Sequence, residues 1–354
     1  MALLDDVDTI RSVDPGNMYN LIFDFPEQLA QALKLSEGWN VRKNDFIDIK
    51  NIVVAGMGGS AIGGDLVRSL LLDRLQIPFQ VCRNYRLPEF VDDETLVIVS
   101  SYSGNTEETL EALDDALNRK AQIATITTGG MLEEIAKLND LPIAYLPTGY
   151  PPRAALGFSF VPVLMLLEKI GLIKGAGKEI AATVKHLEKN RELYIEDVPT
   201  SDNPAKNLAE RMLAKIPIIY TGPTLTDTVG VRWKGQFCEN GKNLTFVNHF
   251  PEFNHNELVG WSDPIGPHTE HLMVIILHDS SDHPKVARRM EIVKDIIRKY
   301  DIDVAEVHSS GESALERMFS LIQLGDFTSY YLAVVNDADP TPVEAIETLK
   351  KALA

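Results

Sequence analysis

The sequence predicts an α/β fold made of two doubly wound domains, each with a parallel sheet between layers of helices. Short β-branched runs, apolar on both faces, alternate with helical stretches along most of the chain, which is typical of buried parallel strands. The length of 354 residues suits two domains better than one. A faint repeat also relates the run at 216–222 to the run at 52–58. These observations favour two similar domains.

The elements follow in order along the chain. Residues 1–45 have the apolar spacing of helices. The first five strand candidates are Ile52–Ala55, Phe79–Cys82, Thr95–Ser100, Gln122–Thr127 and Pro142–Leu146. A charged helix at 177–194 and a turn-rich run then connect to three more candidates, which are Ile216–Gly222, Leu272–Leu277 and Asp303–His308. We therefore predict an N-terminal domain over 1–174, a connecting segment over 175–199 and a C-terminal domain over 200–354.

Composition excludes several classes of function. The formal net charge of −17 leaves no basic surface for a nucleic-acid backbone. The longest apolar stretch, Phe158–Leu167, is too short to span a bilayer. The N-terminus lacks the pattern of a secretory signal, and two cysteines without a CxxC motif fit a reducing compartment. We expect a cytoplasmic protein that binds neither nucleic acid nor membrane.

Two turns crowded with small and hydroxylated residues carry most of the functional information. The first, residues 56–64, follows the first strand and matches the pattern G-x-G-x-x-A at Gly56, Gly58 and Ala61. The second, residues 100–108, follows the third strand. Turns of this kind expose backbone N–H groups and hydroxyls at helix N-termini, which suits a phosphate group.

Other interpretations of these turns stay open at this point. The first lacks the acidic residue that a dinucleotide site requires, although Arg83 after the second strand would suit the 2′-phosphate of NADP. A ligand-free tight turn is a further alternative. In the second turn, Asn105 followed by Glu108 resembles a capping box, so part of its polarity is expected to serve helix initiation.

The combination of blocks resembles a known family. Gly58-Gly-Ser60 paired with Ser101-Tyr-Ser-Gly-Asn-Thr106 resembles the sugar isomerase (SIS) domain, a flavodoxin-like module that binds phosphosugars. Four further blocks resemble the bifunctional phosphoglucose/phosphomannose isomerases, and these are Tyr150–Ala154, Phe237–Lys242, Pro251–Glu257 and Asp339–Val343. The resemblance extends from about residue 50 to the end. It implies two SIS domains and an aldose–ketose isomerase that interconverts glucose 6-phosphate, and mannose 6-phosphate, with fructose 6-phosphate.

The resemblance also implies roles for individual residues. Glu239 would be the general base that moves a proton between C1 and C2, and Arg153 would stabilise the cis-enediolate. His255 would open the sugar ring across a homodimer interface, with Lys350 assisting, and Thr341 is a weaker candidate for accepting both C2 epimers. The residues expected to hold the phosphate are Gly58, Gly59, Ser60, Ser101, Ser103 and Thr106.

This chemistry requires no cofactor, because the proton leaves and returns on one carboxylate. The pairs His268/His271 and His278/His283 match no familiar zinc spacing, so we expect no metal. Two alternatives remain: a non-catalytic SIS-domain sensor of phosphosugars, and an NADP-dependent oxidoreductase. The stretch 243–250 departs from the expected pattern and is interpreted as a loop.

Overall fold

The computed structural model describes residues 3–353, so residues 1, 2 and 354 at the ends of the predicted domains lie outside it. The chain forms two compact units. The first-sheet unit comprises residues 24–185, and the second-sheet unit comprises residues 3–23 and 186–353. The predicted domain boundaries at 174 and 200 stay a prediction.

The helices and strands alternate as expected. The helices are α1 (Val7–Ser12), α2 (Met18–Phe23), α3 (Phe25–Gly38), α4 (Gly58–Leu71), α5 (Glu107–Asn118), α6 (Gly130–Leu138), α7 (Leu156–Lys169), α8 (Ala176–Arg191), α9 (Pro204–Arg211), α10 (Asp227–Glu239), α11 (Pro284–Arg298), α12 (Ala314–Val335) and α13 (Glu344–Leu353). The strands are β1 (Asn51–Ala55), β2 (Phe79–Cys82), β3 (Thr95–Ser101), β4 (Gln122–Thr127), β5 (Ile143–Tyr145), β6 (Ile216–Thr221), β7 (Phe246–His249), β8 (Leu272–His278) and β9 (Asp303–His308). Short 3₁₀ turns include Pro152–Ala154, Glu252–His255 and Glu257–Gly260.

The first-sheet unit contains a five-stranded parallel sheet in the order β2-β1-β3-β4-β5. Every residue of β3 is buried, which explains its unbroken apolar and hydroxylated sequence. The chain turns to one side of β1 for β2 and to the other side for β3, β4 and β5. In sheets of this type, ligands bind where the strand order reverses, at the carboxyl ends of the strands. That point lies between β1 and β3.

The second-sheet unit contains a four-stranded parallel sheet in the order β7-β6-β8-β9. This order repeats that of β2-β1-β3-β4, so each unit is a doubly wound α/β fold and the predicted fold class is confirmed. Helices α1 and α2 belong to this unit, where the ring of Tyr19 on α2 lies 5.4 Å from that of Tyr330 on α12.

One strand was not expected. Residues 246–249 form β7 inside the stretch interpreted as a loop, and they pair with Ile218–Thr221 of β6. Since β7 is a four-residue edge strand and no residue of it is fully buried, it lacks the continuous apolar run that identifies a central strand.

Candidate functional site

The two small-residue turns are neighbours at the carboxyl edge of the first sheet. Strands β1 and β3 pair directly, with Ala55 opposite Val99. The turn after β1 leads into α4, and the turn after β3 leads into α5. Two helix N-termini therefore begin side by side at the switch point, which is a favourable place for an anion.

The first turn needs its glycines for close backbone contact. A Cβ atom on Gly56 would lie 2.8 Å from the carbonyl oxygen of Ser100, and one on Gly59 would lie 2.6 Å from that of Pro152. Gly58 begins α4 with a φ of 48°, in the left-handed region. The buried Ser60 hydroxyl accepts a hydrogen bond from the Tyr102 N–H at 3.2 Å. The two turns are thus linked directly.

The second turn organises its hydroxyl groups around a buried serine. The Ser101 and Thr106 hydroxyl oxygens are 3.0 Å apart, and the Gly104 N–H donates to Ser101 Oγ at 3.1 Å. Ser103 is exposed and its Oγ accepts from the Asn105 N–H at 3.3 Å. The structure therefore brings together the six residues predicted to hold a phosphate, in two adjacent turns of one unit.

The capping box expected in this turn is wrong. Helix α5 begins at Glu107 with Thr106 as its N-cap residue, and no side-chain bond caps it. The Asn105 side chain instead accepts from the Met131 N–H at 3.0 Å, at the start of α6. Local spacing could not reveal this partner, because it lies 26 residues away in sequence.

Arg153 lies in the 3₁₀ turn Pro152–Ala154 and is only 6% exposed. The carbonyl of the preceding Pro152 is the one that approaches Gly59, so this turn lies beside the start of α4. Arg153 is therefore held in the same unit as the two small-residue turns and close in the fold to the first of them.

Tyr102 is a residue of this region that sequence reasoning missed. Its hydroxyl donates to the Pro147 carbonyl at 2.7 Å and accepts from the Tyr150 N–H at 3.1 Å. Burial raises the pKa of this phenol. Tyr102 thus joins the second turn to the loop that precedes Arg153. The signal in the sequence that could have identified it was the position of this tyrosine between Ser101 and Ser103.

The NADP alternative requires Arg83 to bind the 2′-phosphate, but the Arg83 side chain has another partner. Its guanidinium forms an ion pair with the Asp65 carboxylate on α4. The positive charge that would bind a 2′-phosphate is therefore already paired with a carboxylate of the same unit.

Glu239 is the last residue of α10 in the second-sheet unit and is half-buried. It borders a cavity of about 560 Å³, a volume within the range of small-molecule sites. The other wall of this cavity is formed by residues at the start of α13 and just before it, namely Ala338, Asp339, Pro342, Val343, Glu344, Ala345 and Ile346. A carboxylate at a cavity wall is accessible to a small substrate.

Helix α10 is anchored to α12 by buried polar contacts. The Arg232 guanidinium contacts the Asp326 carboxylate at 2.6 Å, and Gln236 Nε2 donates to the same carboxylate at 3.0 Å. The Trp233 indole N–H donates to the Leu321 carbonyl at 2.8 Å. These contacts fix the helix that carries Glu239.

His255 lies at the end of the 3₁₀ turn Glu252–His255 and is exposed. The asparagines on either side of it do not hold its ring. Asn256 Nδ2 donates to Glu252 at 3.1 Å, and both amide atoms of Asn254 are buried with no hydrogen-bond partner. His255 therefore ends a 3₁₀ turn without a bond from either neighbouring amide to its imidazole.

The segment around His255 rests on an aromatic platform that sequence reasoning missed. The rings of Tyr220 and Phe253 stack with centroids 4.1 Å apart. The Tyr220 hydroxyl donates to Glu257 at 2.5 Å, and Asn248 Nδ2 donates to the other oxygen of Glu257 at 2.5 Å. Burial, together with the bond to Glu257, raises the pKa of Tyr220. Glu257 belongs to the block Pro251–Glu257 that resembles the family, but nothing near it in the sequence indicates that it bonds Tyr220 and Asn248.

The C-terminal candidates lie on separate parts of the second-sheet unit. Lys350 is exposed on α13, one turn beyond the residue Ile346 that borders the cavity. Thr341 is half-buried, and its N–H donates to Asp339 Oδ1 at 2.8 Å. Thr341 is thus fixed near the cavity wall, whereas Lys350 is solvated.

The equivalent turns of the second sheet are filled by carboxylates. The Asp279 side chain is fully buried, and it accepts hydrogen bonds from the Ser281 N–H at 2.9 Å, Ser309 Oγ at 2.6 Å and Arg317 Nε at 3.0 Å. Burial raises the pKa of Asp279, but these hydrogen bonds outweigh it and lower the pKa overall. A Cβ on Gly222 would lie 2.3 Å from Asp282 Oδ1. Internal carboxylates therefore lie at the turns that correspond to the two small-residue turns of the first sheet.

The described residues offer neither a metal cluster nor a membrane span. Within residues 3–353, the His, Cys, Asp and Glu side chains form no group of three or more that could hold a metal ion. No helix in the described part of the chain is long and apolar enough to cross a membrane.

Comparison with known proteins gives consistent matches. Residues 45–168 match the family described as SIS domain, and residues 201–353 match the bacterial phospho-glucose isomerase C-terminal SIS domain. A bifunctional phosphoglucose/phosphomannose isomerase of Caldicellulosiruptor bescii is 46% identical over 95% of this chain and 99% of its own length. One of Aquifex aeolicus is 36% identical over 92% of this chain and 99% of its own length. Among solved structures, a hypothetical protein from Thermus thermophilus has a TM-score of 0.74 at 16% identity, covering 98% of this chain and 92% of that one.

Proposed function

The chain belongs to the bifunctional phosphoglucose/phosphomannose isomerase family, and from this premise we propose that it interconverts glucose 6-phosphate and mannose 6-phosphate with fructose 6-phosphate. The main support for this reaction is the similarity of the chain to a relative named as an isomerase, over nearly the full length of both proteins. The protein is an aldose–ketose isomerase, and its substrate is a sugar phosphate. This function uses the two turns as a phosphate site that works together with catalytic residues. The regulator and oxidoreductase alternatives assign no catalytic residues to act on a sugar phosphate held by these turns.

We propose that the two turns of the first sheet hold the C6 phosphate. The arrangement of Ser60, Ser101 and Thr106 supports this assignment, since their hydroxyls lie in adjacent turns at two helix N-termini. Because Gly58 and Gly59 have no side chain, a phosphate oxygen can approach the backbone N–H groups of this turn. Ser103 adds an exposed hydroxyl. In a chain of net charge −17, such local dipoles provide the attraction that the overall charge opposes.

For the chemistry, we propose that Glu239 transfers the proton. His255, with Lys350 assisting, promotes ring opening by moving a proton from the C1 hydroxyl to the ring oxygen. The Glu239 carboxylate then removes the proton from C2 of the open aldose, which gives a cis-enediolate with its negative charge on O1. The hydroxyl proton moves from O2 to O1, and Glu239 returns its proton to C1, which forms the ketose. The guanidinium of Arg153 stabilises the enediolate charge, as a preorganised cation does best when shielded from water. No electron leaves or enters the substrate.

We propose further that the protein is a cytoplasmic homodimer in which His255 acts on the substrate bound by the partner subunit. The exposure of His255 and its lack of side-chain support from Asn254 or Asn256 are consistent with a role at an interface. Mixing inactive Glu239→Gln and His255→Asn variants tests this, because subunit exchange then restores activity. If the mixture stays inactive while mixed dimers form, His255 acts within its own subunit.

The central experiment is a coupled assay with glucose 6-phosphate and with mannose 6-phosphate, run with and without EDTA. Glu239→Gln is expected to lower kcat by about 10² to 10⁴, because it removes a general base, and to leave binding of fructose 6-phosphate unchanged in calorimetry. Glu312→Gln, an exposed carboxylate of the same unit, is the matched control. Wild-type kcat in Glu239→Gln would remove Glu239 from its role. Absence of isomerisation of both sugars would remove the function, and a nicotinamide titration then tests the oxidoreductase alternative.

A further inference from the structure

Lys242 makes an unusual set of contacts for a lysine after a helix. Its ammonium donates to the carbonyl oxygens of Glu239 at 2.5 Å, Pro342 at 2.6 Å and Pro340 at 3.2 Å. An ammonium has three N–H donors, so each carbonyl can receive one. Lys242 ends the block that carries Glu239, but sequence reasoning assigned it no role.

These carbonyls come from two distant parts of the second-sheet unit. That of Glu239 is at the carboxyl end of α10, while those of Pro340 and Pro342 flank Thr341 about a hundred residues later. We call residues 339–343 the proline segment. A lysine that only stabilised the end of its own helix would bond that helix alone. Lys242 instead joins the base-bearing helix to the proline segment.

The same residues border the cavity beside Glu239. Lys242, Asp339, Pro342 and Val343 line it together with Glu239. The distance from the proline segment to the end of α10 therefore sets the width of this cavity. Lys242 bonds both and therefore contributes to that distance.

The proline segment is also held from its other side. A Cβ on Gly16, in the turn between α1 and α2, would lie 2.2 Å from Thr341 Oγ1, so the backbone of that turn packs directly on Thr341. The segment is therefore enclosed between the Gly16 turn and the Lys242 ammonium. Loss of the ammonium releases one side of it.

The backbone at Lys242 gives an independent indication. Its φ of 53° lies in the left-handed region, which glycine adopts at little cost and lysine rarely adopts. A residue with only a turn-forming role would be better served here by glycine. The three carbonyl contacts explain why a lysine occupies this position.

We propose that Lys242 is a positioning residue for the isomerase reaction, which holds the proline segment against the end of α10 so that Glu239 and the facing cavity wall keep their spacing. The inference rests on the proposed function for its catalytic consequence. The contacts themselves do not depend on that function.

The test compares Lys242→Gly and Lys242→Met with Lys234→Met, which removes an exposed lysine from the same helix α10. We expect kcat for fructose 6-phosphate to fall about tenfold or more in both Lys242 variants, with KM within about twofold, because the phosphate turns are untouched. Lys242→Gly is the discriminating variant, since glycine adopts the left-handed backbone at position 242 without strain, so that a loss of kcat reports the lost ammonium contacts and not a distorted backbone. Hydrogen exchange of the amides at 337–346, measured without substrate, should accelerate in both variants and not in Lys234→Met.

The outcomes separate the inference from the proposed function. If Lys242→Gly keeps wild-type kcat, Lys242 has no positioning role, even where the exchange of the proline segment changes. If all three variants lose kcat equally, the effect is general and the inference is also wrong. If the wild type isomerises neither sugar, the proposed function fails, and unchanged exchange in Lys242→Gly would then show that the contacts do not hold the segment.

Discussion

Replacing Asp326 with alanine should destabilise the second-sheet unit strongly, because it leaves a buried positive charge. Asp326 and Arg232 are 4% and 5% exposed, and the carboxylate accepts from Arg232 at 2.6 Å and from Gln236 at 3.0 Å. Burial raises the pKa of Asp326, and the Arg232 guanidinium opposes this. Asp326→Ala removes both hydrogen bonds and the countercharge, while the guanidinium stays in place.

The magnitude follows from these contacts. Each hydrogen bond to a charged group contributes about 1.5 to 3 kcal/mol, so two lost bonds amount to about 3 to 6 kcal/mol. Breaking a buried ion pair by removing one partner costs about 3 to 5 kcal/mol in general, and the two estimates agree. With a urea m-value of about 3 kcal/mol/M, we expect the unfolding midpoint to fall by about 1 to 2 M.

The chain offers a convenient assay. Of its three tryptophans, Trp233 and Trp261 lie in the second-sheet unit and Trp39 in the first-sheet unit. In a Trp39→Phe background, tryptophan fluorescence during urea unfolding therefore reports the second-sheet unit alone. Trp233 lies on α10 itself and donates to the Leu321 carbonyl of α12, so it senses the contact that the mutation perturbs.

Two further variants make the result interpretable. Asp295→Ala removes an exposed carboxylate of α11 and should change stability by less than about 0.5 kcal/mol. The double replacement Arg232→Met with Asp326→Leu removes both charges and should recover much of the loss, since apolar residues often replace buried pairs without penalty. A loss below about 1 kcal/mol for Asp326→Ala would contradict this prediction, because a buried guanidinium that loses this carboxylate is expected to cost more.

Two other predictions concern the second turn, which we propose binds phosphate, and the effect of pH. Gly104→Ala places a Cβ 1.7 Å from the Gly129 carbonyl oxygen at a φ of 71°, so it should distort the second turn and weaken fructose 6-phosphate binding in calorimetry; unchanged affinity would show that this turn does not hold the phosphate. Burial and the charge of His308 lower the pKa of His278 below its usual 6.5, partly offset by Glu306 and Glu291. The unfolded chain therefore binds more protons than the folded one just below pH 6.5, and the free energy of unfolding should decrease as the pH falls from about 7.5 to about 5.5. Urea midpoints at both pH values should differ less in His278→Gln than in the wild type, and an equal difference would contradict this assignment.

Much of the fold could be predicted because its signals are local. The sequence of β3 is buried along its whole length, so its apolar run identifies it without any knowledge of its neighbours. Strand β7 could not be found in this way, since it is short, half-exposed and defined by pairing with β6. Helices α1 and α2 were recognised as helices, but their packing on α12 depends on contacts about three hundred residues apart in sequence, such as that of Tyr19 with Tyr330.

In the candidate site, too, features within one turn could be predicted, whereas contacts between residues distant in sequence could not. The hydroxyls of Ser101 and Thr106 were predicted together because they lie five residues apart in one turn, and they are within 3.0 Å of each other. The partners of Lys242 lie about a hundred residues away, and nothing near Lys242 in sequence indicates them. The anchoring of Glu257 by Tyr220 escaped prediction for the same reason.

The internal carboxylate of Asp279 has a consequence for how the two units respond to metabolite concentration. Its partners Ser309 and Arg317 are already satisfied within the folded chain, so the second-sheet unit does not need an external anion at this turn. In the turns proposed to bind phosphate, the Ser101 and Thr106 hydroxyls bond each other and the Ser60 hydroxyl accepts from the Tyr102 N–H, so these contacts involve no carboxylate. By mass action, a ligand at one hundred times its Kd adds about 2.7 kcal/mol to the folded state that binds it. Through these turns, the supply of hexose phosphate would set the thermal resistance and protease resistance of residues 24–185, while Asp279 makes the equivalent turn of the second-sheet unit insensitive to that supply.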